Sequence, residues 1–237
     1  MASLVAVKPD GTPVYISKPM PSSIILSQDT PGTTSWTVPD IHGGLPYIIQ
    51  VRMKGAGGGG AGGYGDYFAT SYGGASGSEG EYGEFELLVT PDEEYILTVG
   101  AGGLGGAAGG TVGGKGGTTS FDVIANVEGG FGGGLVNGVN NSRSMPGGGY
   151  VLPANRPLVA DIFRIPGTPG NNGHVGLSTG SAGAAYTSSP SHGGGFWSAT
   201  AGAAGYLGGG GAGGGVNTNG SLAGGAGGDG FITILAR

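Results

Sequence analysis

The chain has 237 residues, of which 61 are glycine and only 10% are charged, far from the globular average of about 25% charged. The net charge of −6 argues against nucleic acid as a partner, and the absence of cysteine excludes disulfides and thiolate metal sites as supports for the fold. A length of this order suits one domain with a short attachment piece.

So much glycine points first to disorder, but disordered chains are rich in charge and poor in branched apolar residues. Here charge is scarce and apolar strand-like runs are clear, so an ordered chain is expected. Each ordered glycine costs roughly 0.5–1 kcal/mol relative to alanine. Dense backbone hydrogen bonding and close backbone packing must offset that cost, because glycine buries no side chain.

Residues 1–34 form the first unit. The N-terminal MASLVAVKP lacks the basic region and apolar core of a signal peptide, so synthesis in a cytoplasm is expected. No window approaches the ~20 apolar residues of a membrane span, and no membrane insertion is expected. The runs Leu4-Val5-Ala6-Val7, Val14-Tyr15-Ile16 and Ile24-Ile25-Leu26 are separated by Pro9, Pro13, Pro19, Pro21 and Pro31. Prolines so spaced exclude central strands and long helices. Short edge strands in an attachment segment are expected.

Residues 35–237 form the second unit. Strand character begins at Ser35-Trp36-Thr37-Val38-Pro39 and is clearest in 47–54, where Ile49, Val51 and Met53 alternate with Gln50, Arg52 and Lys54, the period of a half-buried strand. Further strands are expected at 84–89, 95–99, 119–124 and 231–235. No amphipathic helix is found, so the scaffold reads as all-β. Between the strands lie glycine tracts at 55–65, 100–117, 129–134 and across most of 193–230. None sustains a collagen-like Gly-X-Y register, whereas short polyproline-II-type tracts lying side by side could satisfy one another's backbone groups. From Ile165 to Gly228 there is no Asp, Glu, Lys or Arg.

Several short motifs invite a catalytic reading and lack its context. Gly100 to Gly105 fits G-x-G-x-x-G, but more glycine follows where a dinucleotide site needs a helix. Gly109 to Gly116 ends in glycine where a phosphate-binding loop needs Ser or Thr. Gly176-Leu177-Ser178-Thr179-Gly180 resembles a nucleophile elbow, yet no acid lies between Ser178 and His192. His42, His174 and His192 are scattered, without metal-ligand spacing. Glu79, Glu81, Glu84, Glu86, Asp92, Glu93 and Glu94 read as a solvated strand face and its turn. No cofactor, no metal and no enzymatic activity are expected.

Trp36-Thr37-Val38-Pro39, then YIIQVRMKGAGGGGAGGYG, GEFELLVTPDEEYILTVGAGGLGG, GGKGGTTSF and GGAGGDGFITIL together resemble the glycine-rich domain of bacteriophage tail-fibre and virion proteins, over roughly residues 35–237. The resemblance implies a jelly-roll-like sandwich from which packed polyglycine-II helices emerge. It also implies a tip adhesin, as in the distal tail-fibre adhesins of T-even-like phages, whose loops touch a bacterial receptor. On that reading the chain is a virion component. Residues 1–34 dock on other virion proteins, the assembly is a homo-oligomer or is mounted on an oligomeric fibre, and the receptor is an outer-membrane protein or polysaccharide. Loops in roughly 135–206 would make the contact, with Tyr150, Phe163, Tyr186, His192, Phe196, Trp197 and Tyr206 as candidate receptor-binding residues. Aromatics on rigid uncharged loops offer large contact area at low entropic cost. The alternatives are a structural virion component without host contact and, more remotely, an ice-binding protein, which would need a regular Thr or Ala face.

Overall fold

The computed structural model describes residues 3–7, 13–16, 23–65, 70–134, 136–137, 140–141, 158–167, 170, 175–177, 201–217 and 220–237. Its strands, in chain order, begin with β1 (Ser3–Val7), β2 (Pro13–Ile16), β3 (Ser23–Gln28), β4 (Gly32–Thr37), β5 (Tyr47–Lys54), β6 (Tyr64–Gly65), β7 (Thr70–Tyr72), β8 (Tyr82–Val89) and β9 (Glu94–Val99). There follow β10 (Thr119–Phe121), β11 (Ala125–Val127), β12 (Val136–Asn137), β13 (Asn140–Asn141), β14 (Leu158–Ile165), β15 (Val175–Leu177), β16 (Val216–Asn217), β17 (Gly220–Ser221) and β18 (Phe231–Ala236). There is no helix among the described residues. The chain is all-β.

Two antiparallel sheets face each other. One has the order β14-β8-β5-β18-β3 and the other β11-β10-β9-β4. Alternation decides which residues meet between them. From β5 come Ile49, Val51 and Met53, from β18 Ile232 and Ile234, and from β8 Phe85, Leu87 and Val89. The second sheet supplies Trp36, Tyr95, Leu97, Val99, Phe121 and Val127, all buried in one cluster. These pairings establish a two-sheet sandwich and go no further toward a jelly-roll winding.

The glycine tracts continue the strands beyond the sandwich as a hexagonal bundle. Tract 55–63, extending β5, lies at its centre. The N–H groups of Gly55, Gly58 and Ala61 donate to Glu81, Ser78 and Ala75; those of Ala56, Gly59 and Gly62 to Gly117, Gly114 and Thr111; those of Gly57, Gly60 and Gly63 to Gly228, Gly225 and Leu222. Every third residue thus addresses the same neighbour, the repeat of a polyproline-II-type helix, and the three acceptor tracts run antiparallel to the centre. Three parallel tracts donate back: Gly103, Gly106 and Gly109 to Gly57, Gly60 and Gly63; Gly130 and Gly133 to Ala56 and Gly59; Gly211 and Gly214 to Gly58 and Ala61. The six outer tracts also bond to one another around the ring, in the order 73–81, 128–134, 111–118, 100–107, 222–230, 208–215 and back to 73–81. An eighth tract, 201–206, bonds outside to 208–215 and 222–230.

At most positions of the centre glycine is required because backbone meets backbone, while Ala56 and Ala61 are accommodated there fully buried. A Cβ at Gly58 would lie 2.0 Å from the Phe131 carbonyl oxygen, and one at Gly60 2.0 Å from that of Ala212. In the ring only one direction in three faces outward, and side chains occupy it. Ala101, Leu104 and Ala107 are exposed between half-buried or buried glycines, as are Ala223, Ala226 and Asp229. At roughly 3.1 Å per residue, the nine residues of the central tract carry the fold roughly 28 Å beyond the sandwich.

Three expectations are corrected. The boundary at 34/35 falls inside β4, and β3 pairs with β18 while β4 pairs with β9. Residues from Ser23 onward therefore belong to the sandwich, each of the two strands forming a sheet edge among the described residues. The supposedly solvated acidic face is in part buried: Glu79, Glu81 and Glu84 are 7%, 5% and 7% exposed. They lie at the seam between bundle and sandwich. Lys54 faces Glu79 at 3.7 Å, Arg52 lies 3.6 Å from Glu84, Gln50 donates to Glu84, and Glu81 accepts the Glu128 N–H. Finally, Phe163 stands on β14, whose register places it opposite Glu84, and not on a loop.

The seam sets one alkaline property. The Tyr82 hydroxyl donates to Glu84 Oε2 at 3.1 Å. Burial first, then the Glu84 charge and hydrogen bond, push the phenol up to about 12, against a smaller opposing effect of Arg52. A folded-state value above the unfolded one means that the stabilisation is whole below the ordinary value of about 10 and fades as pH climbs through it toward the folded value. Ultraviolet titration of the ten tyrosines is expected to show a late phase near pH 12 that Tyr82→Phe removes. The same substitution flattens the loss of stability across that interval.

Candidate functional site at the free end of the bundle

The fold has two ends. At one, the chain enters β3 at Ser23, which pairs with Ala236, and the Arg237 N–H donates to Ile48. At the other, Gly63 bonds to Gly109 and Leu222, and Gly62 to Thr111, so the connections between tracts gather there. The turn between tracts 100–107 and 111–118 is tight, with φ of +89° at both Gly109 and Gly110, a region open to glycine and strained for other residues. The connection from 63 to 73 is longer and forms β6 and β7. The three-stranded sheet β15-β7-β6 caps this end, beside the β16–β17 hairpin, whose Ser221 hydroxyl donates to the Gly65 carbonyl at 3.2 Å.

The aromatic content of this cap was not anticipated. Tyr64 and Tyr72 are direct cross-strand partners, their rings 6.2 Å apart and inclined by 31°. Tyr64 is 52% exposed. In sequence Tyr67 and Phe68, outside the described residues, lie between them, giving four aromatics in nine residues. The available signal was an aromatic-dense interruption between two glycine tracts.

Of the expected receptor-binding residues, Tyr206 is exposed but stands at the opposite end. It closes tract 201–206, where its carbonyl accepts from Gly209 and the following Gly208 approaches Lys54 and Gly55. Phe163 is on the β14 sheet edge. Tyr150, Tyr186, His192, Phe196 and Trp197, like Ser178 and His174, lie outside the described residues.

No protein-family model matches the chain, and no curated protein sequence matches it. The functional reading rests on the molecule's own geometry and on the motif order.

Elsewhere the chemistry is sparse. An open depression of about 440 Å³ at the sandwich end is lined by Pro46, Leu87, Leu88, Thr90, Glu93, Glu94 and Tyr95. There the Tyr95 hydroxyl donates to Glu93 at 2.8 Å. Among the described residues no group of three or more His, Asp or Glu is arranged to hold a metal ion. Gly100 to Gly105 and Thr111 to Gly116, by contrast, serve as ring tracts.

Proposed function

We propose that the protein is a non-enzymatic bacteriophage adhesin of a tail-fibre tip, binding a bacterial surface receptor with the free end of its glycine bundle. The observation that carries this reading is polarity. The chain enters the sandwich at one end, and the connections between tracts are displayed at the other, on an array of tracts hydrogen-bonded to one another around the ring and through the centre. Attachment falls to the sandwich end. There β3 and β4 are sheet edges among the described residues, with a single charged residue, Asp29, between Ser23 and Thr37. Uncharged edges without proline inside the strand are templates for an added strand from another protein.

One observation favours the second reading, a structural virion component. Leu104, Val112 and Phe131, exposed by 79%, 59% and 39%, project from three neighbouring tracts, and a lateral partner would cover them.

Fluorescently labelled protein on a panel of intact bacteria separates the two. Saturable binding to some cells, lost on combining Phe196→Ala and Trp197→Ala with Tyr64→Ala while the thermal transition is kept, supports an adhesin. Binding to none of them, with self-association abolished by Leu104→Asp and Val112→Asp, establishes the structural role instead.

A further inference from the structure

We infer that the cap built on Tyr64 and Tyr72 is a saccharide-binding site for neutral sugar residues of a bacterial surface polysaccharide, an inference that rests on the adhesin reading and narrows its receptor. The first ground is the aromatic pair. Two tyrosine rings fixed by strand pairing and inclined by 31°, one of them half-exposed, give a rigid platform with apolar faces and polar tips. Sugar rings present the matching pattern, C–H faces bordered by hydroxyls.

The second ground is charge. No Asp, Glu, Lys or Arg occurs in β6, β7, β12, β13, β15, β16 or β17, nor in 107–112, although the molecule as a whole carries 24 such residues. Asp66, in the connection between β6 and β7, is the nearest charge along the chain. The turn and the β16–β17 hairpin place Thr111 and Ser221 at this end. Their hydroxyl groups both donate and accept, which suits sugar hydroxyls. An anionic sugar would call for basic side chains, and the described residues at this end include none. The third ground is rigidity: Ser221 ties the β16–β17 hairpin to the Gly65 carbonyl, so the platform is held before a ligand arrives and little ordering cost remains on binding.

The test uses the intact chain on cells that it binds. Mild periodate oxidation of the cell surface is expected to abolish binding and protease treatment to leave it intact, with polysaccharide extracted from the same cells competing. Tyr64→Ala is expected to weaken binding by at least about tenfold, the loss of a buried aromatic contact, while Val123→Ala, an exposed change on the sandwich, leaves it unaltered. Affinity is expected to change by less than about twofold between roughly 0.05 M and 0.5 M salt, since no charge pair is screened. Binding that survives periodate and is lost to protease overturns the saccharide site and leaves the adhesin standing. Periodate sensitivity unaffected by Tyr64→Ala and Tyr72→Ala overturns the placement at the cap. Binding to no cell removes both readings together.

Discussion

Gly59→Ala is expected to destabilise the protein by about 3 kcal/mol or more, and Leu104→Ala to leave stability within about 0.5 kcal/mol. The first adds one methyl group; the second removes three carbons. Geometry reverses the usual ranking. A Cβ on Gly59 would lie 2.0 Å from the Leu104 carbonyl oxygen and 2.4 Å from its carbon, both backbone atoms, with no side chain to turn aside. Tract 100–107 would have to move outward, straining the bonds from Gly103 to Gly57 and from Gly106 to Gly60, each 2.8–2.9 Å long. Reduced freedom of the unfolded chain returns only about 0.4–1 kcal/mol of this. The Leu104 side chain, by contrast, projects into solvent from the same level of the bundle. For a chain of this size the Gly59 change corresponds to a fall in Tm of roughly 6–12 °C. Thermal unfolding of the two variants side by side reads the difference. Equal transitions would show that tract 55–63 is not enclosed.

The sandwich was legible because its strands obey period two. Ile49, Val51 and Met53 are fully buried, as their alternation requires. β14 was missed for a physical reason. Its pairing with β8 shifts register between Leu158 and Ala160 and again between Asp161 and Phe163, and each irregularity breaks the alternation that would have marked a strand. The 119–124 strand proved shorter than expected, because Asp122 turns with φ of +49° and Ala125–Val127 returns as β11.

The bundle was legible in kind and not in arrangement. A sustained Gly-X-Y register was the collagen criterion, but these tracts hold X-Gly-Gly for only two or three triplets, which is the whole height of the bundle. Val112 and Lys115, Glu128 and Phe131, Ala101 and Leu104, and Ala223 and Ala226 are spaced by three. They mark ring members with one outward direction. Tract 55–63 lacks that spacing because it has no outward direction. The buried carboxylates escaped notice since period two on a strand says which face a residue takes, and not that a neighbouring tract covers that face.

Phe121→Ala is expected to cost about 3–5 kcal/mol, read as a lowered urea midpoint, with the slope of the transition unchanged if the unfolded state is unaltered. Phe121 is fully buried where the two sheets meet. Its ring lies 5.0 Å from Tyr95, 5.7 Å from Phe85 edge-on and 6.4 Å from Trp36 edge-on, so truncation removes three aromatic contacts worth roughly 0.5–1.5 kcal/mol each beyond area burial. The cavity left behind is walled by strands of both sheets and cannot easily collapse. Phe121→Leu, which refills most of the volume, is expected to recover more than half of the loss. The consequence reaches the cap. Tract 111–118 enters the sandwich through β10, and tract 128–134 leaves it through β11. A loosened Phe121 therefore frees the lower ends of two of the six ring tracts, and hydrogen exchange at Gly113 and Gly116, whose N–H groups bond to Gly133 and Gly130, should accelerate with the urea-measured loss. Exchange there that stays at the wild-type rate while the sandwich is destabilised would mean that the bundle and the sandwich unfold as separate units, each stable without the other.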